Sequence, residues 1–200
     1  MIDKIGGRSM VAVLAWLTFF VILNPLKGAY TYTESDVDAL IALKESLHDR
    51  LGLLSNWNRG TNPCKWTGVY CNDRRVTKLT LEGMNLRGGQ LVWQIGEFKS
   101  LQYLNMSKTG ITENIPPEIG DLTDLVTLDL SHNQLSGLIP SEIRKLLNLT
   151  TLLLNDNDLS GCEPVDAFTN LFTNGKLNYK NLNLANNPNL LTRAYNSNIC

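Results

Sequence analysis

The sequence predicts an α/β solenoid, in which short similar segments stack side by side and their strands form one parallel sheet. Three segments, which begin at Leu101, Leu125 and Leu149, share the pattern LxxLxL and lie 24 residues apart. An asparagine or threonine follows the first leucine of each segment by eight residues, and a further leucine or isoleucine follows by ten. A fixed period of roughly 20–29 residues with this pattern is typical of a solenoid.

Residues 1–29 are predicted to be a secretory signal peptide. Lys4 and Arg8 supply a positive start, and an apolar run from Met10 to Leu23 follows, interrupted only by Thr18. A run of this length is shorter than the roughly 20 residues that a membrane span needs. We therefore expect a secreted chain with no membrane span after signal removal, in the extracellular space or cell wall; an uncleaved signal anchor is the alternative.

Residues 30–75 are expected to form an N-terminal cap. Val37, Leu40 and Ile41 share one face of an amphipathic helix that the pattern predicts from about Asp36 to Leu47. Ser35 is its predicted N-cap, with Asp38 as the capping-box partner. Such a helix would cover the apolar end that the first repeat exposes.

Residues 76–190 contain about five repeats, of which the first and last are irregular. The step from Leu152 to Leu182 is 30 residues, so an insertion separates the last two repeats. In each repeat alternate residues are buried, as in a strand with one face on the core. The recurring asparagine is expected to bond backbone groups of the following turn that would otherwise be buried and unpaired.

Two motifs resemble one known family. Leu135 to Ile143 reads LxGxIPxxI, as in plant-type leucine-rich repeats, and Pro63 to Cys71 reads PCxWxGVxC, as in the N-terminal cap of the same proteins. The resemblance covers about 165 of the 200 residues. It implies about five 24-residue plant-type leucine-rich repeats, a parallel sheet on the concave face and a helical cap pinned by a Cys64–Cys71 disulfide. It also implies a second strand in the second and third repeats, which carry the Ile-Pro element.

The remaining cysteines are Cys162, at the insertion, and Cys200, in the predicted C-terminal cap segment 191–200. Four cysteines allow three pairings, and a secreted chain favours disulfides over metal binding. We expect Cys162 to pair with Cys200. The alternatives are that Cys200 pairs with another chain or stays free.

Two sequons, at Asn105 and Asn148, are candidate glycosylation sites in a secreted chain. Asn148 precedes a strand and is expected to be accessible. Asn105 is expected to point out of the sheet, where a glycan would obstruct the concave face; the alternative is an unmodified Asn105.

Neither charge nor motifs favour a nucleic-acid ligand or a reaction. Without the signal peptide the chain has 15 basic and 18 acidic residues, and a net charge of −3 offers no support for nucleic acid as a partner. Ser131 and His132 lie within ordinary repeat sequence, where both are expected to be exposed. Glu34, Asp36 and Asp38 are interpreted as charges that complement a helix N-terminus. We expect no enzyme activity, cofactor or metal.

The repeat template places columns of side chains on the outer face of the sheet. One column contains Asn105, Asp129 and Leu153, another contains Tyr103 and Thr127, and a third contains Asn155. Tyr103 is the best anchor, since aromatic residues carry much of the energy of interfaces. The predicted partner-binding residues are Tyr103, Asn105, Thr127, Asp129, His132, Leu153 and Asn155.

The chain also resembles the short ectodomains of somatic-embryogenesis-type receptor kinases, which have a similar cap and repeat number. This resemblance implies an extracellular protein or peptide as partner, such as a receptor-kinase ectodomain, and a role in signalling or defence. The alternative is an inhibitor of a cell-wall-degrading enzyme, as in polygalacturonase-inhibiting proteins, which usually have about twice as many repeats. A structural wall protein is third, without a proline-rich segment to support it.

Overall fold

The computed structural model describes residues 33–191, so that the predicted signal peptide and Cys200 lie outside the described residues. A six-stranded sheet and a four-stranded sheet run along the solenoid. The strands are β1 (Val69–Asn72), β2 (Arg75–Thr80), β3 (Tyr103–Asn105), β4 (Thr112–Asn114), β5 (Thr127–Asp129), β6 (Gln134–Gly137), β7 (Thr151–Leu153), β8 (Asp158–Cys162), β9 (Leu182–Asn183) and β10 (Asn189–Leu191).

The larger sheet confirms the predicted repeats. Strands β2, β3, β5, β7 and β9 pair in parallel, one from each repeat. The inward leucines of these strands, such as Leu104, Leu128 and Leu152, are fully buried and form the core. Strand β1 was not predicted; it pairs antiparallel with β2 and lengthens the sheet at the cap.

The side chain of the recurring asparagine bonds backbone groups, as predicted. The Asn133 side chain accepts from the Gly110 N–H at 2.8 Å, donates to the Met106 carbonyl at 2.8 Å and donates to the Leu130 carbonyl at 3.0 Å. Asn157 and Asn187 repeat this arrangement in the next two repeats. The ladder satisfies backbone groups between neighbouring repeats, where an unpaired buried group would cost free energy.

The second sheet extends further than the sequence suggested. Strands β4, β6, β8 and β10 form it, all in parallel, so that the fourth and fifth repeats contribute as well as the second and third. In the second and third repeats the strand lies before Ile-Pro, not on it. The absence of Ile-Pro in the fourth repeat therefore does not prevent β8 from pairing with β6.

The cap helix α1 spans Glu34–Ser46 and begins earlier than predicted. The prediction that Ser35 caps it is wrong, because Ser35 lies inside the helix and Thr33 is the N-cap residue, with no side-chain capping bond. Leu40 and Leu43 are fully buried, as expected for the apolar face. Within the cap, Trp57 and Trp66 stack with ring centroids 5.9 Å apart, and both are buried.

Glu34 and Asp36 lie in the first turn of α1, as expected of charges that complement a helix N-terminus, and Asp36 and Asp38 also form ion pairs. Asp36 is only 1% exposed; it accepts from Arg75 Nε at 3.0 Å, from Arg75 Nη2 at 3.1 Å and from the Val76 N–H at 2.9 Å. Asp38 pairs with Arg59 at the surface and is not a capping-box partner. The buried Asp36 carboxylate therefore joins the cap helix to strand β2.

The insertion before the last repeat contains a helix that the sequence reading missed. Helix α2 spans Val165–Thr173 and buries Ala167, Phe168 and Leu171. Between α1 and α2, three short 3₁₀ helices pack side by side in chain order, at Trp93–Glu97, Pro117–Asp121 and Ser141–Lys145. Over residues 33–191, neither helix has the length and apolar character needed to cross a bilayer.

Candidate functional site

The strand register places the predicted columns side by side on the larger sheet. Tyr103 lies opposite Lys78 on one side and Thr127 on the other. Asn105 lies between Thr80 and Asp129, and the same column continues through Leu153 to Asn183. The 24-residue period therefore predicted correctly which residues are neighbours on this face.

Two tyrosines and a lysine form a cluster at the cap end of the sheet. Tyr70 on β1 lies opposite Lys78 on β2, which lies opposite Tyr103 on β3. Lys78 Nζ is 5.3 Å from the centroid of the Tyr70 ring and 4.6 Å from that of Tyr103, within the range of cation–π attraction. Tyr70 is 53% exposed and Tyr103 is half-buried. This tyrosine–lysine cluster combines exposed aromatic area with charge.

Asn105 lies in the outward column but is more buried than the alternation predicted, since it is only 5% exposed. Its Oδ1 accepts from the Ser107 N–H at 2.9 Å and from the Ser107 hydroxyl at 2.8 Å. Its Nδ2, the atom that a glycan would modify, donates to Glu82 at 3.2 Å. These bonds join the side chain to the turn after its own strand and to Glu82 of the preceding repeat.

Asp129 makes the same local bonds but remains half-buried. Its Oδ1 accepts from the Ser131 N–H at 3.0 Å and from the Ser131 hydroxyl at 2.7 Å. Ser131 is consequently 5% exposed. Asn155, one repeat further along the column of Ser131, is 8% exposed. The expectation that Ser131 and Asn155 are exposed to solvent is therefore wrong. Thr127 and Leu153 are half-buried and line the face between the more exposed residues.

His132 is exposed at the turn that follows β5. Its φ is +56°, and the equivalent residues of the other repeats, Gly83, Lys108, Asp156 and Asn186, have φ between 57° and 70°. His132 Nδ1 lies 3.3 Å from Asp156 Oδ2. Hydrogen bonds from Asn155 and Asn186, helped by the charge of His132, hold the pKa of the Asp156 carboxyl below its usual range. The Ser131 hydroxyl meanwhile donates to Asp129.

The cysteines and the second sequon lie away from this face. Cys64 and Cys71 form the predicted disulfide, with their Cα atoms 5.5 Å apart. No described cysteine is a free thiol, but Cys200 lies outside the described residues, so its pairing with Cys162 stays a prediction.

Asn148 is half-buried, donates to the Thr123 carbonyl and accepts from Lys176. Within residues 33–191 no group of His, Cys, Asp and Glu has a metal-binding arrangement.

Comparison with protein families finds two matches that together cover most of the described chain. Residues 33–72 match the family described as "Leucine rich repeat N-terminal domain". Residues 74–173 match the family described as "Leucine-rich repeat region". The boundary between the two matches falls between β1 and β2, where the cap meets the first repeat.

Relatives of similar sequence are plant proteins. The chain is 39% identical over 103 residues to the leucine-rich repeat protein FLOR 1 of Arabidopsis thaliana, a match that covers 50% of this chain and 31% of that protein. It is 41% identical over 104 residues to leucine-rich repeat protein 1 of Oryza sativa, covering 51% of this chain and 46% of the rice protein. The match thus spans less than half of each relative.

Solved structures of similar fold include ectodomains. The BIR2 ectodomain from Arabidopsis thaliana has a TM-score of 0.64 and 37% identity, over 71% of this chain and 76% of that one. A chain of the BIR3–SERK2 complex from the same plant has a TM-score of 0.66 and 37% identity, over 75% and 80%. The ectodomain of the receptor kinase SOBIR1 follows with a TM-score of 0.62 and 25% identity, over 79% and 96%.

Proposed function

Because this chain belongs to the plant leucine-rich repeat family, we propose that it is a secreted recognition module that binds a protein or peptide outside the cell on its larger sheet. Repeat proteins of this architecture use extended concave surfaces for binding. The proposed role is in extracellular signalling or defence. The candidate contact residues are those exposed or half-exposed on the sheet and its edge: Tyr70, Lys78, Tyr103, Thr127, Asp129, His132 and Leu153.

The tyrosine–lysine cluster carries this proposal. An aromatic residue with more than half of its surface in solvent is a common anchor of protein interfaces, where tyrosine, tryptophan and arginine dominate the binding energy. Here Tyr70 has that exposure, and Lys78 holds it beside Tyr103 on three adjacent strands. The rings are therefore ordered before a partner binds, which reduces the entropy lost on association.

The dimensions of the sheet favour a small interface. Six strands at about 4.8 Å spacing span about 24 Å. A standard protein interface buries about 800 Å² on each partner, so an interface of that size would also need the loops beside these short strands. The similar structures support a partner of this kind, since one is a chain of the BIR3–SERK2 complex. We propose a receptor-kinase ectodomain as the partner class.

A binding screen tests the proposal. The purified protein would be immobilised and exposed to a panel of plant receptor-kinase ectodomains, with affinity measured by biolayer interferometry. Tyr103→Ala and Tyr70→Ala should each weaken the strongest interaction by at least about 10-fold, since truncating an interface anchor costs about 2 kcal/mol or more. Arg144→Ala, an exposed change in a 3₁₀ helix away from the sheet, should leave it unchanged.

Two results would overturn the proposal. If both tyrosine variants bind as tightly as the unmodified protein, the larger sheet is not the binding surface. If no ectodomain binds but micromolar protein inhibits a purified polygalacturonase, enzyme inhibition replaces receptor binding as the function. A thermal melt of each variant separates a lost contact from a lost fold, since Tyr103 also contacts Lys78.

A further inference from the structure

A cleft with a volume of about 400 Å³ opens where the strands of the first three repeats end. Its walls are the turns that leave β2, β3 and β5, so it borders the larger sheet on the side of the second sheet. Pockets for small ligands or single side-chain groups begin at about 300 Å³. The lining residues are Gly83, Asn85, Arg87, Lys108, Thr109, Gly110, His132, Asn133 and Gln134.

The ionisable residues that line this cleft are all basic. Arg87, Lys108 and His132 reach it from three successive repeats, and none of the nine lining residues is acidic. Within residues 33–191, the Arg87 and Lys108 side chains have neither an ion pair nor a hydrogen bond. His132 has Asp156 on one side. Two cations without a carboxylate partner therefore line a polar cleft in a chain whose overall charge is close to neutral.

The backbone holds these cations in place. His48 Nδ1 lies 3.2 Å from the Arg87 carbonyl oxygen, so the end of the cap fixes the backbone of Arg87. The side chain of Arg87 crosses Gly110, where an added Cβ would lie 2.7 Å from Arg87 Cγ. Lys108 and His132 occupy equivalent left-handed turn positions, with φ of 57° and 56°. The fold thus fixes the point from which each side chain extends.

We propose that this cleft binds carboxylate groups of an acidic peptide segment in the protein partner. The inference rests on the proposed function and adds the chemistry of one contact. A guanidinium presents a planar fork that matches a carboxylate, and a lysine adds a point charge beside it. The amides of Asn85 and Gln134 supply further donors. Lys108 lies three residues beyond the end of β3, so a peptide on the sheet has direct access to the cleft.

The probe for the test is an acetylated, amidated hexaglutamate peptide, titrated into ¹⁵N-labelled secreted protein and followed by NMR. Saturable shifts are expected at the amides of Gly83, Lys108 and Gly110. Arg87→Gln combined with Lys108→Gln should weaken binding at least about 10-fold. Lys99→Gln combined with Lys180→Gln removes the same charge from exposed residues outside the cleft and should leave the affinity within about twofold.

Three results of the titration would contradict the proposal. A hexaglutamine peptide that binds equally well would remove the role of charge. Equal weakening by both double variants would indicate general electrostatic attraction instead of a site. Binding of trigalacturonate but not of hexaglutamate would assign the cleft to an acidic sugar. Because the titration uses no receptor ectodomain, it can fail while the binding screen succeeds, and the two proposals are therefore judged separately.

Discussion

At the scale of single residues, the repeat imposes a backbone conformation even where the residue type does not suit it. Glu113, Gly137 and Gly161 stand at the same position of three successive repeats, and their φ angles are 65°, 71° and 74°. Glycine adopts this left-handed region freely, whereas a residue with a Cβ pays about 1–2 kcal/mol. Glu113 is therefore strained by its neighbours, because the stacking of β4 on β6 dictates its conformation.

Replacing Glu113 with glycine should stabilise the protein. Relief of the left-handed conformation exceeds the added entropy of the unfolded chain, so the free energy of unfolding should rise by about 0.5–1 kcal/mol. Urea unfolding followed by circular dichroism measures the change. The control is Glu142→Gly in a 3₁₀ helix, which should lower the free energy of unfolding by about 0.5–1 kcal/mol. A loss of stability in Glu113→Gly would show that its side chain outweighs the strain.

The sequence predicted which residues share a column but not how deeply each is buried. Alternation and the 24-residue period fix the neighbours of Tyr103 and Asp129, and the strand register agrees. Asn105 differs because its side chain also contacts Glu82 and Tyr103, which leaves it buried at a nominally exposed position. Tyr70 was missed because β1 lies outside the repeat pattern. Its exposure depends on an antiparallel pairing that periodicity does not report.

At the scale of elements, the cap and the first repeat are joined by one buried carboxylate. Asp36→Ala should lower the free energy of unfolding by about 2–4 kcal/mol, because it leaves the Val76 N–H unpaired in the core and the Arg75 guanidinium without its partner. Breaking a fully buried ion pair costs about 3–5 kcal/mol. The loss expected here is smaller, because the Arg75 side chain is 29% exposed and water can solvate it. Denaturant unfolding measures the loss.

The matched control is another aspartate of the same helix. Asp38 pairs with Arg59 at the surface, where the side chains are 51% and 59% exposed. An exposed pair contributes about 0–1 kcal/mol, so Asp38→Ala should change stability little. Equal effects of the two substitutions would mean that the Asp36 contact does not hold the cap on the sheet.

The elements that the sequence did not predict include helix α2 in the insertion and two strands of the second sheet, β8 and β10. Helix α2 has only nine residues and no side-chain capping bond after Pro164, although the spacing of Val165, Phe168 and Leu171 is that of an amphipathic helix. Its role becomes visible only in three dimensions, where Phe168 and Leu171 are buried in the core. The extra strands β8 and β10 likewise arise because a neighbouring strand supplies a pairing edge.

At the scale of the whole molecule, each repeat is stabilised by its contacts with the neighbouring repeats. Each strand of the larger sheet pairs only with the adjacent ones, and the two sheets follow the same order along the chain. In such a solenoid the free energy is approximately a sum of repeat terms and nearest-neighbour terms. The repeat at each end has one neighbour fewer. In the first repeat the cap takes the place of the missing neighbour, because β1 pairs with β2 and the cap contributes buried side chains, including the two tryptophans, to the core.

Removing the cap disulfide should therefore loosen one end of the molecule and not the whole. The Cys64–Cys71 bond closes a short loop, with a sequence separation of 7, and its loss by Cys64→Ser with Cys71→Ser should cost about 2–3 kcal/mol. Hydrogen exchange followed by mass spectrometry should show faster exchange in α1, β1 and β2. Exchange in β5 and β7 should change little, because these strands pair with their own neighbours and not with the cap. A uniform increase along the chain would contradict nearest-neighbour stabilisation and would indicate one cooperative unit, in which the cap contributes to the stability of every repeat.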